Sequence, residues 1–288
     1  MPEGDTILRA AQALQRALSG HVVTRFESVY PAVTRVADDQ PIVGRTVESV
    51  AARGKHLLMA FSGDLVLRTH MRMSGSWHLY RPGMRWQRPA REMRVLVATA
   101  DAVAVGFNVP VAELLSRRQL DAHRDLRALG PDLLAGAGAS YEYAVDAAEI
   151  VRRMRARGRE HVAEVLLNQR VVAGIGNVFK SEILFMAGVD PFTPASSLSD
   201  ADLERIVGIA RDQLAASVLD RSKTLSRSIG RRTTRSLDPS AALWVYSRAG
   251  KPCRRCGTII RSKKTGLDAR LTYWCPGCQK GIGELVSS

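Results

Sequence analysis

The chain has 288 residues, 45% of them hydrophobic and 24% charged, enough for one large core or two ordinary ones and too apolar for a disordered polymer. No apolar run approaches the roughly 18 residues of a membrane span, and the opening Glu3, Asp5 and Thr6 lack the basic and apolar parts of a signal peptide, so cytoplasmic residence is expected. The formal net charge of +14 points to a polyanion. Residues 1–135 carry 18 Lys/Arg against 13 Asp/Glu, 136–198 balance at 7 against 7, and 199–288 carry 17 against 8. Within 221–280, 15 basic residues face only Asp238 and Asp268. A solvated surface mixes its signs, so a one-signed block of this size predicts nucleic acid as the partner.

Along the chain, Ile7, Ala10, Ala11, Leu14 and Leu18 recur at helical spacing and stop at Gly20, which predicts a helix over 3–18. From 21 to about 110 the pattern is strand-like. Leu57, Met59 and Phe61 alternate into Leu65 and Leu67 about Ser62-Gly63-Asp64, and Val95-Val97 and Val103-Val105-Phe107 flank Ala100-Asp101. That reads as a β-sandwich behind the leading helix. Gly130-Pro131 and the Gly/Ala-rich stretch 135–139 mark a domain boundary. Helices are expected over Tyr141–Arg157 and Glu160–Leu167, and a third follows the turn Ala173-Gly174-Ile175-Gly176-Asn177, with Asn177 as its cap. Another starts at Ser199, with Asp202 completing a capping box. Residues 221–240, rich in Arg, Ser and Thr without an apolar period, are expected to form a mobile loop.

Two constellations carry chemistry. Cys253, Cys256, Cys275 and Cys278 form two C-x-x-C pairs 18 residues apart, the spacing of a four-thiolate zinc site. With no ligand position left vacant, one structural zinc per chain is expected. Its cargo is the hairpin Ile259–Tyr273, which carries Arg261, Lys263, Lys264 and Arg270 toward phosphates. At the other end, removal of Met1 would leave Pro2 as a secondary amine with Glu3 beside it. An α-amine has a pKa of about 8, so a useful fraction is a neutral nucleophile at neutral pH. Attack on a sugar C1′ would give an iminium, with Glu3 as the adjacent acid and base. Without Pro2 and Glu3, the zinc ribbon and the charge would equally fit a nucleic-acid-binding protein with no catalysis.

Met-Pro-Glu-Gly, Arg53-Gly54-Lys55-His56-Leu57-Leu58, Leu166-Leu167-Asn168-Gln169 with Ala173–Asn177, Lys180–Leu184, Trp244-Val245-Tyr246, and the cysteine knuckle with Arg270 together resemble the formamidopyrimidine-DNA glycosylase/endonuclease VIII family, nearer endonuclease VIII. The resemblance implies a multi-domain α+β chain. Its parts would be a catalytic helix-plus-sandwich domain over 1–135, a helical DNA-binding domain over 136–245 with a helix–two-turn–helix at 160–188, and a β-hairpin zinc finger over 246–288. It implies a monomeric, nucleoid-associated base-excision-repair enzyme without membrane attachment. Pro2 would form the Schiff base and Glu3 would move protons. Lys55, Asn177 and Arg270 would hold DNA phosphates, Lys55 and Arg270 also acting at the catalytic centre, with Arg261 of the hairpin beside them, and damaged DNA would lie between the domains. Arg72 and Met73, within His70–Ser74, would fill the space left by an extruded base. The second glutamate of many members is absent here, where Asp5-Thr6 stand, so an AP lyase with weak base excision is the companion reading. The purine-specific members of that family insert an arginine and an aromatic from one hairpin, and the matching stretch Val103–Leu115 holds Phe107 but no arginine, so the resemblance implies oxidised pyrimidines rather than 8-oxoguanine.

Overall fold

The computed structural model describes residues 2–135, 146–219, 232–234, 238–266 and 268–280. They form two compact units that divide after Ala128.

In the first unit, α1 (Gly4–Leu18) begins where the Glu3 carbonyl accepts the Thr6 and Ile7 amides at 2.9 and 3.1 Å. Its stripe Ile7, Ala10, Ala11, Leu14 and Leu18 is buried, as the periodicity requires. Then come β1 (Arg25–Ser28) and α2 (Pro31–Asp39), followed by β2 (Val47–Arg53), β3 (His56–Phe61), β4 (Leu65–His70), β5 (Ser76–Tyr80), β6 (Met93–Ala98), β7 (Val103–Phe107) and β8 (Val111–Ser116). The unit closes on the short helices α3 (Arg117–Asp121) and α4 (Arg124–Arg127). The strands make two antiparallel sheets, ordered β2-β3-β4-β8 and β1-β6-β7-β5. Leu57, Met59, Phe61, Leu65 and Leu67 meet Trp77, Val95, Val97 and Ala104 in one core that also takes Ile7, Leu14 and Leu18 of α1. Both expected hairpins are present.

Two features depart from the sequence reading. The strand-like stretch contains α2, which starts with proline at its first turn, where the missing N–H and fixed φ cost nothing. It was hidden because it buries only Val33 and is rich in the β-branched Val33, Thr34 and Val36. The sandwich also runs past residue 110, because β8 pairs with β4 along its whole length.

In the second unit α5 is Ala147–Arg155, shorter than the expected helix, with the Asp146 carboxylate accepting the Glu149 amide at 2.9 Å as its cap. Residues 141–145 of that expectation lie outside the described residues, as do 221–231 and 235–237 of the expected loop. Next come α6 (Val162–Leu167), α7 (Asn177–Ala187) and α8 (Asp200–Leu219). The Ser199 hydroxyl accepts the Asp202 amide at 3.1 Å, and Asp202 in turn accepts the Ser199 amide, so the capping box is real. Between α6 and α7 one side chain organises the turn. The Gln169 amide group donates to the Leu167 and Ile175 carbonyls, both at 2.9 Å, and accepts the Gly174 N–H at 3.1 Å. Gly174 has φ +103, open to glycine alone without strain. The unit ends in the antiparallel hairpin β9 (Arg261–Thr265) and β10 (Arg270–Trp274). Among the described residues no helix is long and apolar enough to cross a membrane.

Candidate catalytic end and zinc-hairpin site

In the first unit, half-buried Pro2 precedes Glu3, which is the N-cap of α1 and 0% exposed. A carboxylate there sits at the positive end of the helix dipole. Asp5 is also fully buried, and Arg9 approaches it at 3.6 Å while the Thr6 hydroxyl donates to it at 3.2 Å. Its carboxylate is engaged by these two neighbours within the helix. The helix lies on β2 and β3, with the Val50 amide donating to the Gln15 side chain. Lys55 is half-buried in the two-residue turn of that hairpin, where Arg53 faces His56 and Gly54 takes φ +58.

Behind Lys55 lies a polar cluster that sequence reasoning missed. His56 and His70 contact edge to face at 4.8 Å. Burial holds His56 down to about 3 and His70 to about 4, so both rings are neutral at physiological pH. Buried Arg68 pairs with Glu113 and reaches Asp125 at 3.8 Å. The Arg72 amide donates to His70 Nδ1 at 3.0 Å, which holds Arg72 at φ +45, a strained conformation for a residue with a side chain. The loop therefore projects. Met71 is buried in the sandwich core, while Arg72 and Ser74 are exposed and Met73 is 66% exposed. The two methionines, indistinguishable by composition, have opposite environments. Phe107 is 0% exposed inside a separate aromatic cluster.

In the second unit the cap of α7 is Gly176, and Asn177 is its first helical residue. This corrects the capping role: the Asn177 side chain, in a residue only 6% exposed, instead donates to the Leu271 carbonyl at 2.9 Å and accepts from Lys180 Nζ at 2.7 Å. Lys180 is 0% exposed and also donates to Thr272 Oγ1 at 2.7 Å. Glu182, equally buried, accepts the Trp244, Val245 and Tyr246 amides at 2.8–2.9 Å and the Thr233 hydroxyl. The Lys180–Glu182 motif is thus the joint that ties α7 to β10 and to the 244–246 segment. The signal was present in the sequence as charged residues within an otherwise apolar helix. On the hairpin Arg261, Lys263 and Lys264 are exposed, and half-buried Arg270 pairs with Asp268 at 3.0 Å.

The four cysteine sulfurs all lie within 4.8 Å of one another, with Cys253–Cys278 at 3.9 Å and Cys256–Cys275 at 3.5 Å. A tetrahedral zinc with Zn–S of about 2.3 Å places its sulfurs about 3.8 Å apart, whereas a disulfide requires about 2.05 Å. The set fits one structural zinc. The second knuckle is pinned by Gln279, which accepts the Cys275 amide and donates to the Val189 carbonyl, both at 2.9 Å.

Comparison with known proteins gives the same picture. Family models match residues 1–110 (formamidopyrimidine-DNA glycosylase N-terminal domain), 136–228 (formamidopyrimidine-DNA glycosylase H2TH domain) and 250–281 (zinc finger found in FPG and IleRS). The chain belongs to the formamidopyrimidine-DNA glycosylase/endonuclease VIII family. A probable endonuclease 8 2 of Streptomyces coelicolor is 41% identical over 98% of this chain and 95% of its own length. The DNA-(apurinic or apyrimidinic site) lyase Nei2 of Mycolicibacterium smegmatis is 39% identical over 97% and 99%. Endonuclease 8 of Escherichia coli is 34% identical over 97% and 100%. The fold is that of Lactococcus lactis formamidopyrimidine-DNA glycosylase solved with AP-site DNA, at a TM-score of 0.79 and 23% identity, covering 97% of this chain and 100% of that one. Within the family this chain stands near the endonuclease VIII members, as a DNA glycosylase/AP lyase of base excision repair with one structural zinc.

Proposed function

We propose that this glycosylase/AP lyase removes oxidised pyrimidines through a Schiff base on Pro2 and cuts the strand by β,δ-elimination. The observation that carries the reading is the fully buried Glu3 beside half-buried Pro2, at the start of a helix packed on the hairpin of Lys55. The Pro2 nitrogen attacks C1′ as the C1′–N bond to the base breaks, with Glu3 supplying a proton to the departing side. The nitrogen gives up its proton and its lone pair opens the sugar ring, the C1′–O4′ bond breaking as O4′ takes a proton from Glu3, and the resulting iminium acidifies C2′–H. Its loss expels the 3′ phosphate, and loss of the C4′ proton expels the 5′ phosphate, leaving phosphates on both sides of a one-nucleotide gap.

Lys55 holds the lesion-strand phosphate. Arg261 and Arg270 grip neighbouring phosphates from the zinc hairpin, and Asn177 contributes by locking that hairpin to the helix it opens. Exposed Met73, with Arg72, fills the space left by the extruded base, whose extrusion costs a few kcal/mol and least at a damaged pair. The lesion preference is supported by Phe107, buried beneath Trp86, and by a β7–β8 region without an arginine before Arg117, so that neither an arginine nor an exposed aromatic stands there to read the orphan base.

Borohydride trapping on duplexes with a single 5-hydroxyuracil, thymine glycol or 8-oxoguanine opposite cytosine tests the reading. A covalent adduct that disappears when Pro2 is blocked is expected. Single-turnover removal of 5-hydroxyuracil should outpace that of 8-oxoguanine, and the reverse order rejects the lesion assignment. An adduct that survives a blocked Pro2 moves the nucleophile to a lysine, with Lys55 the first suspect.

A further inference from the structure

We infer that Arg81, Arg85 and Arg91 form a second DNA-backbone site, on the loop covering the outer face of the β1-β6-β7-β5 sheet, which extends the footprint away from the lesion. The inference rests on the DNA-binding reading above. The segment 81–94 contains five arginines, Arg81, Arg85, Arg88, Arg91 and Arg94, against Glu92 alone. The outer face of the sheet is apolar, with Tyr80, Leu96, Ala98, Val105 and Phe107 in a buried cluster. The loop seals it. Trp86 packs edge-on to Phe107 at 5.6 Å and tilted on Tyr80 at 6.5 Å, and the Gln87 amide donates to the Tyr80 hydroxyl at 3.1 Å.

With the aromatics turned inward, the charges divide. Arg88 bonds Glu92 at 2.7 Å and lies over Phe107, and Asn108 donates to the same carboxylate at 3.0 Å, so the one acid of the loop is used internally. Arg94 folds onto the Arg91 and Met93 carbonyls at 2.8 and 2.9 Å. Arg81, Arg85 and Arg91 are exposed, and their guanidinium groups have no hydrogen-bond or ion-pair partner among the described residues. Arg25 and Arg117 of the same unit, by contrast, are exposed but paired with Glu27 and Glu48. Uncompensated cations on a loop clamped by buried aromatics are a preset anion surface, and guanidinium suits phosphate in particular.

Position selects DNA as the polyanion. Arg88 reaches Ser76 Oγ at 3.4 Å, at the start of β5 and two residues from the exposed loop of Arg72 and Met73. Arg91 lies toward the same end, since nearby Met93 pairs with Phe107 and Phe107 with Ser76. Arg81 follows Tyr80 at the far end of the strand. The five residues of β5 at about 3.3 Å each give a track of about 16 Å, or roughly five base pairs at 3.4 Å, leading outward from the loop proposed to enter the helix.

The test is salt-dependent binding of the full chain to duplexes carrying a tetrahydrofuran abasic-site analogue, with flanks of about ten or about three base pairs. Each phosphate contact contributes about 0.9 to the slope of log K against log salt. Wild-type protein should show a slope steeper by about 2 on the long duplex than on the short one, from Arg81 and Arg85. The triple variant R81S/R85S/R91S should lose that difference, bind the long duplex at least 10-fold more weakly, lower the slope on the short duplex by no more than the one contact of Arg91, and leave the single-turnover rate at saturating enzyme unchanged. R81K/R85K/R91K should keep the wild-type slope. Equal wild-type slopes on the two lengths overturn the inference without any variant, as does a serine triple that binds both duplexes like wild type. If weakened binding of an acidic protein segment replaces weakened binding of DNA, the surface belongs to that partner and the inference also falls. No wild-type binding to either duplex would instead reject the DNA-repair reading beneath it.

Discussion

The two ends of the candidate machinery are held by different physics. Pro2, Glu3 and Lys55 hang on a helix and a hairpin whose backs are built into one apolar core of Ile7, Leu14, Leu57, Met59 and their neighbours. The zinc hairpin has only a small apolar seat, in which Cys253, Ile260 and Cys275 are buried beside Phe185 and Val245 while Tyr273 and Trp274 pack on Tyr246 and Phe192. It is positioned by polar bonds from Asn177, Lys180 and Ser181 and by a metal site. Dispersed apolar packing yields gradually when one residue is trimmed, whereas a site resting on four thiolates and a few buried hydrogen bonds fails at a single removal.

The sharpest way to break this comparison is to take away the metal. Chelation or Cys256→Ser should abolish DNA binding while the sandwich keeps its own thermal transition, because ligation supplies about 10 kcal/mol or more of the folding energy of such modules. Tight binding by zinc-free protein would show that the hairpin stands without it. A second contrast sets Glu182→Ala against Leu14→Ala. The first strands three backbone amides, that of Val245 buried and those of Trp244 and Tyr246 partly so, that now point at one carboxylate, and should cost about 3 kcal/mol while loosening the hairpin. The second should cost about 2–5 kcal/mol without altering zinc affinity. Zinc-competition titration separates the two, and weakened zinc binding in Leu14→Ala would erase the distinction.

The sandwich end has its own weakness in acid. His56 and His70 have folded pKa values of about 3 and 4, lowered first by burial, against about 6.5 when unfolded. The unfolded chain binds more protons between these values. Stability from the pair is therefore fully present above about pH 6.5 and lost as pH falls toward 4 and 3, by a few kcal/mol in all. Urea midpoints should drop between pH 7.5 and 5, and His56→Gln should flatten that drop; an unchanged slope removes the pair from the acid response. The smallest effect is expected from Arg270→Ala. It should weaken binding to every lesion alike and reduce the salt slope by about one contact. A slope identical to wild type would take Arg270 out of the phosphate grip.

Much of this was written in the linear pattern, and the exceptions share a cause. Spacing alone determined α1, the two hairpins of the sandwich and the capping box at Ser199, since burial of one face and local capping are properties of a few consecutive residues. The two C-x-x-C pairs announced a metal site because ligand geometry is likewise local. Only the tertiary structure decided that Met71 is core and Met73 exposed, because that depends on a strained turn set by the His70 ring behind it. It alone decided that Asn177 bonds Leu271, 94 positions away, rather than capping its own helix. It also decided that the arginines of 81–91 separate into paired and unpaired sets, since the partners come from an aromatic sheet face and a carboxylate brought together by folding. Local free energies follow sequence neighbours, whereas a side chain's partner is chosen by whatever the packed chain places within about 3 Å of it.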